Sequence, residues 1–184
     1  ATIVVTNYLK SLYPKELQHK ISVVHDGIER AKCEKVNWSN NSGSVANPLK
    51  AVLVSSSSLD RLPLLVSPPN WVHVTIVGRY PEKNAYRKRW QENRWKLAQQ
   101  NTWGERLKYL KFLADRRITC EAWGPDSVYD QLLTADVGII PIEPDPVRDQ
   151  SAAWKVKSEN RLTLLMSTGL PVVATPIPAY EEVI

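Results

Sequence analysis

No hydrophobic run in the sequence approaches the roughly 18 residues that a membrane-spanning helix requires. Cysteine is scarce. Cys33 and Cys120 lie far apart and match no metal-ligand spacing, nothing near the start resembles a signal peptide, and reduced thiols in a cytosol are the simplest reading. The chain has neither a Walker motif nor a Gly-x-Gly-x-x-Gly, which argues against a P-loop nucleotidase and a standard dinucleotide fingerprint. An acidic metal-binding cluster is also missing. What is present is an ordinary globular composition, 43% hydrophobic and 23% charged over 184 residues, enough for one domain with a sizeable core. The chain opens inside an apolar run and stops just after Glu181-Glu182, so residues 1–184 read as a single domain excised from a longer protein.

Acidic residues nearly vanish from one region. Between 83 and 117, eleven lysines and arginines oppose only Glu92, Glu105 and Asp115, a net +8 where the whole chain carries +5. Trp90, Trp95 and Trp103 are interleaved with this charge. One reading is a helix or helix pair whose tryptophans pack on the core while the cations stay solvated. The other is a contact surface for anionic lipid headgroups, which would place the protein in the cytoplasm and peripherally at the inner membrane face. No RNA- or DNA-binding motif accompanies the charge, which disfavours nucleic acid.

Short apolar β-branched runs alternate with longer amphipathic stretches, the pattern of parallel strands joined by helices. It predicts an α/β fold with a Rossmann-like, doubly wound, mostly parallel sheet. Candidate strands are 2–6, 21–25, 51–55, 72–78, 118–123, 137–142 and 171–175. The last two lack a polar face, as central strands covered on both sides do, which places the sheet interior near the C-terminal half. A short helix capped by Asp126 or Ser127 is expected to bury Val128, Leu132 and Leu133. Another starts near Ser158, buries Leu162, Leu165 and Met166, and ends at a left-handed Gly169 before Pro171. The Ser- and Asn-rich stretch 37–47 reads as a flexible connection between a first strand pair and the main sheet, or an interdomain linker.

An open parallel sheet binds ligands beyond the carboxyl ends of its strands, so candidate site residues are sought in those loops. Ser55 to Ser58 followed by Arg61 could wrap an anion or form a plain polar turn. Gly78-Arg79 allows close backbone approach and offers a guanidinium. Lys157-Ser158-Glu159-Asn160-Arg161 is the strongest constellation. A helix N-terminus presents unpaired N–H groups and partial positive charge, and Lys157 adds a full charge, a good seat for a diphosphate. The competing reading has Ser158 capping the helix with Lys157 and Arg161 solvated.

The order of motifs resembles the C-terminal, donor-binding domain of GT-B glycosyltransferases, especially the retaining family 4. The likeness runs through Val5-Thr6-Asn7-Tyr8-Leu9, Ile21 to Glu29 with His25-Asp26-Gly27, Thr75 to Gly78, the Trp123-Gly124 turn, Ala135 to Pro141 and Gly169 to Thr175. It implies half of a GT-B fold, a nucleotide-diphosphate sugar as donor substrate with no other cofactor and no metal, and an acceptor held by an N-terminal domain outside this chain. The fragment alone is then expected to be inactive. It places Lys157, Ser158, Asn160 and Arg61 at the diphosphate, with Gly78, Arg79, Trp123 and Glu143 as further substrate-binding candidates; no catalytic residue is assigned. Family members carry two glutamates eight positions apart, and here Val156 and Leu164 stand in their places. The donor is then held differently, through Glu143 or Glu159, or activity is weak or lost. A non-catalytic nucleotide-binding or interaction module of the same fold is the alternative.

Overall fold

The computed structural model describes residues 2–25, 43–55, 68–78, 90, 102–142 and 157–184. Among them seven strands form, each within two residues of its expected bounds: β1 (Thr2–Val4), β2 (Ile21–Val23), β3 (Leu49–Ser55), β4 (Val72–Gly78), β5 (Ile118–Ala122), β6 (Val137–Ile140) and β7 (Val172–Ala174). They divide into two sheets. β1 pairs only with β2, in parallel, across the short helices α1 (Asn7–Ser11) and α2 (Lys15–Gln18). The other five are all parallel in the order β5-β4-β3-β6-β7. Counted from β3, that is 3-2-1-4-5, the doubly wound Rossmann-like arrangement.

The centre of the sheet differs from the expectation. β3 is central, while β7 lies at an edge with Val173 67% exposed. An unbroken apolar run of three or four residues is too short to separate a central strand from an edge one. β3 shows what a doubly covered strand is: Ala51, Val52 and Leu53 are successive, point to opposite faces, and are all buried.

Each face has its own core. Val52, Val77 and Ile140 pack with α4 (Ser127–Thr134), α5 (Asn160–Ser167) and α6 (Pro178–Glu181). Ala51, Leu53, Val74, Ile76, Ile118 and Cys120 pack with Leu113 of α3 (Trp103–Ala114) and with Trp90. Trp103, by contrast, does not pack on the core, and Trp95 lies outside the described residues. In α4 the inward residues are Val128, Tyr129 and Leu132, with Leu133 only half-buried. In α5, Leu162 and Leu165 are buried but Met166 is 44% exposed, one position past the inward stripe. The helix ends as expected, at Gly169 with φ +78°. No helix among the described residues is long and apolar enough to cross a membrane.

α5 rests directly on the backbone of β6. A Cβ at Gly138 would stand 2.8 Å from Leu165 Cδ1 and 3.2 Å from Cδ2. Because Leu165 is itself enclosed, it cannot swing aside. Gly138→Val is therefore expected to lower unfolding free energy by about 1 to 3 kcal/mol through overpacking. Adding Leu165→Ala should restore part of that loss, measured as non-additivity in a denaturant-based double-mutant cycle. Additive losses would show that the helix does not press on Gly138.

Candidate functional site

Each crossover in a parallel sheet returns antiparallel to its strands, so α4 and α5 begin at the carboxyl edge. Chain direction across the sheet reverses between β3 and β6, paired Ala51 with Val137 and Val52 with Gly138. In open α/β sheets a switch point of this kind is where ligands bind, beyond the same edge.

The described site candidates fall on the two sides of β3. On one side, buried Gly78 ends β4 and its carbonyl accepts the Trp123 N–H at 2.7 Å, fixing the corner after β5. Trp123 is itself 48% exposed. Gly124 follows, where a Cβ would stand 2.9 Å from Ser127 Oγ, and its carbonyl accepts the Val128 N–H at the start of α4. On the other side stand Lys157 and Ser158, both half-buried, and exposed Asn160. Between β6 and β7, Thr175 Oγ1 accepts the Ile142 N–H at 2.9 Å and stitches the two strand ends together. Arg61, Arg79 and Glu143 lie outside the described residues.

Ser158 is not the helix cap. Glu159 occupies that position, and its side chain makes no capping hydrogen bond. The first-turn N–H groups of α5 thus face the edge beside Lys157, with the helix dipole adding partial positive charge. The Glu159 carboxylate turns inward: it is buried, and its Oε1 lies 2.9 Å from Nδ1 of His25. His25, just past β2, is the partner at this edge that sequence reasoning missed. It stood in the quoted His-Asp-Gly run, but nothing in the sequence indicated a partner 134 positions away.

A second carboxylate makes the companion contact. Glu182, after α6, accepts the backbone N–H groups of Asn7 and Tyr8 at 3.0 Å each and the Asn7 side-chain amide at 3.1 Å. Thr6 Oγ1 caps the same turn by accepting the Leu9 N–H. Together, Thr6 and Glu182 satisfy the N-terminus of α1 and fasten the β1–β2 unit to the chain's last helix. Desolvation would raise the Glu182 pKa, but the N–H donors and the nearby His25 outweigh it and hold the carboxyl below its ordinary value. Burial pushes the Tyr180 hydroxyl up, with Arg161 opposing. Leu164, where the family pattern has a ribose-facing glutamate, is partly buried and packs against the core of its face.

Two outcomes follow. Since the Glu182 pKa is lowered by folding, its stabilisation is present above the ordinary carboxylate range and is lost as pH falls through the lowered value. Melting temperature should therefore drop more for the wild type than for Glu182→Gln between about pH 6 and about pH 3. Parallel curves would show that the carboxylate does not tie α1 down. Leu164→Glu would set a carboxylate partly among apolar groups, and thermal melting should show a loss of about 1 to 3 kcal/mol. A variant as stable as the wild type would place Leu164 toward solvent or ligand instead.

No protein-family model, no curated protein and no solved structure matches the chain.

Proposed function

We propose that the chain is the donor-binding domain of a cytoplasmic glycosyltransferase of carbohydrate biosynthesis, resembling the retaining, metal-independent GT-B enzymes. The domain binds a nucleotide-diphosphate sugar along the carboxyl edge. The observation that carries this reading is the start of α5, a helix N-terminus whose cap residue Glu159 makes no side-chain capping bond, beside Lys157, at the carboxyl edge of a Rossmann-order sheet. Backbone N–H groups and a lysine stabilise the charge that grows on a departing diphosphate, with no metal needed for that role. Gly78 and Trp123, on the far side of β3, offer close backbone approach and an exposed ring to the remainder of the donor.

Transfer also needs an acceptor site, proposed here to lie on an N-terminal domain of the same polypeptide. The β1–β2 unit favours that arrangement. It is only a two-stranded sheet, and Ile3, Leu12, Leu17 and Val24 are all exposed on it. Such a piece fits the rim of a second sheet. The fragment by itself would bind donor without transferring the sugar.

The alternative, a non-catalytic nucleotide-binding or interaction module, is favoured by one observation. Leu164 is committed to packing, so the helix no longer offers the ribose a carboxylate there.

Titration calorimetry with UDP, GDP, ADP and their sugars tests the reading, since donor binding is expected without the partner domain. Lys157→Ala should weaken nucleoside diphosphate binding by about 1 to 3 kcal/mol while leaving nucleoside binding nearly unchanged. Silence with every nucleotide would overturn donor binding. Equal losses for nucleoside and diphosphate would assign Lys157 to fold stability.

A further inference from the structure

We propose that the outer side of α3 docks on an anionic lipid bilayer. The helix buries Leu113 completely against the sheet. A quarter-turn away, Trp103, Leu107, Leu110 and Ala114 recur at i, i+4, i+7 and i+11, which confines them to a stripe about 60° wide. That stripe faces outward: Trp103 is 82% exposed, Leu107 53% and Leu110 39%, and Ala114 is exposed as well. Apolar residues thus line both the inner and the outer side of one helix. The inner set is explained by the core, and the outer set is not.

Cations border the stripe. The Arg106 guanidinium lies over the Trp103 ring, 5.2 Å from its centroid, on one flank. Lys111 is exposed on the other flank, with Lys108 beyond it and Arg116 just past the helix. Arg117 does not belong to this surface, because it is bound by both oxygens of Asp115 and by the Pro68 carbonyl. Between 102 and 117, five lysines and arginines oppose Glu105 and Asp115, a net +3.

Charge decides among the occupants. In a two-fold contact with a second copy, Arg106 and Lys111 would face their own like charges. Nucleic acid would use the cations but leave Leu107 and Leu110 in water. An anionic membrane uses both features, since headgroups take the cations and the interface takes tryptophan and leucine to a shallow depth. The inference is independent of the sugar-nucleotide reading, because α3 lies on the face of the sheet away from α5.

Co-sedimentation of the 184-residue chain with phosphatidylcholine vesicles, with and without about one-third phosphatidylglycerol, tests it. Binding is expected only with the anionic vesicles, falling steeply as salt is raised. Lys108→Gln/Lys111→Gln should lower the partition coefficient roughly ten- to thirtyfold, at about 1 kcal/mol per basic residue removed. Trp103→Ser/Leu107→Ser should lower it by roughly tenfold or more. Both pairs change only exposed side chains, and Val173→Ser, exposed on a distant strand, should bind like the wild type. Absence of sedimentation at low salt, equal binding to neutral vesicles, or binding insensitive to the Trp103/Leu107 pair would overturn the proposal. So would self-association of the free chain abolished by that same pair, which would give the stripe to a second copy.

Discussion

Parallel pairing is the constraint from which the rest of the main sheet follows. A strand can gain a parallel neighbour only if the chain is carried back across a face, and all four pairings of this sheet are parallel. The returns cover both faces, so β3 must be apolar on both, as Ala51, Val52 and Leu53 are. They also fix polarity. Every helix that follows a strand starts at the carboxyl edge, which gathers helix N-termini there whatever their sequence. The amino edge is closed by a different device, the Asp136 carboxylate accepting the Lys50 N–H at 2.8 Å while the Asp136 N–H donates back to the Lys50 carbonyl. The amino edge thus ties the start of β6 to β3 by a reciprocal pair of bonds, and the carboxyl edge gathers the helix N-termini.

The β1–β2 unit is held by carboxylates rather than by a shared sheet. Glu182 receives three N–H bonds from the start of α1, and Glu159 meets His25 just past β2. The two contacts differ physically. Glu182 is exposed and its bonds are screened by water, so it chiefly orients α1. Glu159 is buried, and His25 is half out of the protein, so the pair brings the rim of the β1–β2 unit to the start of α5. A change at His25 would be felt at the proposed diphosphate seat through Glu159. On that proposal Glu159 is a positioning residue. Glu159, expected with Glu143 as an alternative holder of the donor, lies against His25.

How far the sequence could be read depends on the range of the interactions involved. All seven strands and the ends of α4 and α5 were legible, because period, turn residues and Gly169 act within a few positions. Strand order was not legible. Whether Val172 to Ala174 is central or peripheral depends on what lies beside it, and the exposed Val173 shows that composition cannot reveal this. The same limit hid the site's polar framework. Lys157 to Asn160 were visible as a charged helix start, but His25 with Glu159 and Asn7 with Glu182 are contacts across 134 and 175 positions. The misplaced Met166 is a smaller error of the same kind. Periodicity marks a helix face only to within one neighbour, and α5 presses so closely on Gly138 that the inward stripe is narrow.

On the proposed function, the carboxyl edge keeps one half of a nucleotide site and alters the other. Diphosphate recognition needs only N–H groups and positive charge, which the start of α5 with Lys157 supplies. Ribose recognition needs an acceptor for two hydroxyls, and α5 no longer provides one, since Leu164 packs inward and Glu159 is engaged with His25. On that reading an acceptor comes from the strand-end loops, where Glu143 is the first carboxylate after β6. A site built this way derives most of its free energy from phosphate charge and little from the sugar of the nucleoside. Its selectivity would follow the number of phosphates more closely than the identity of the ribose.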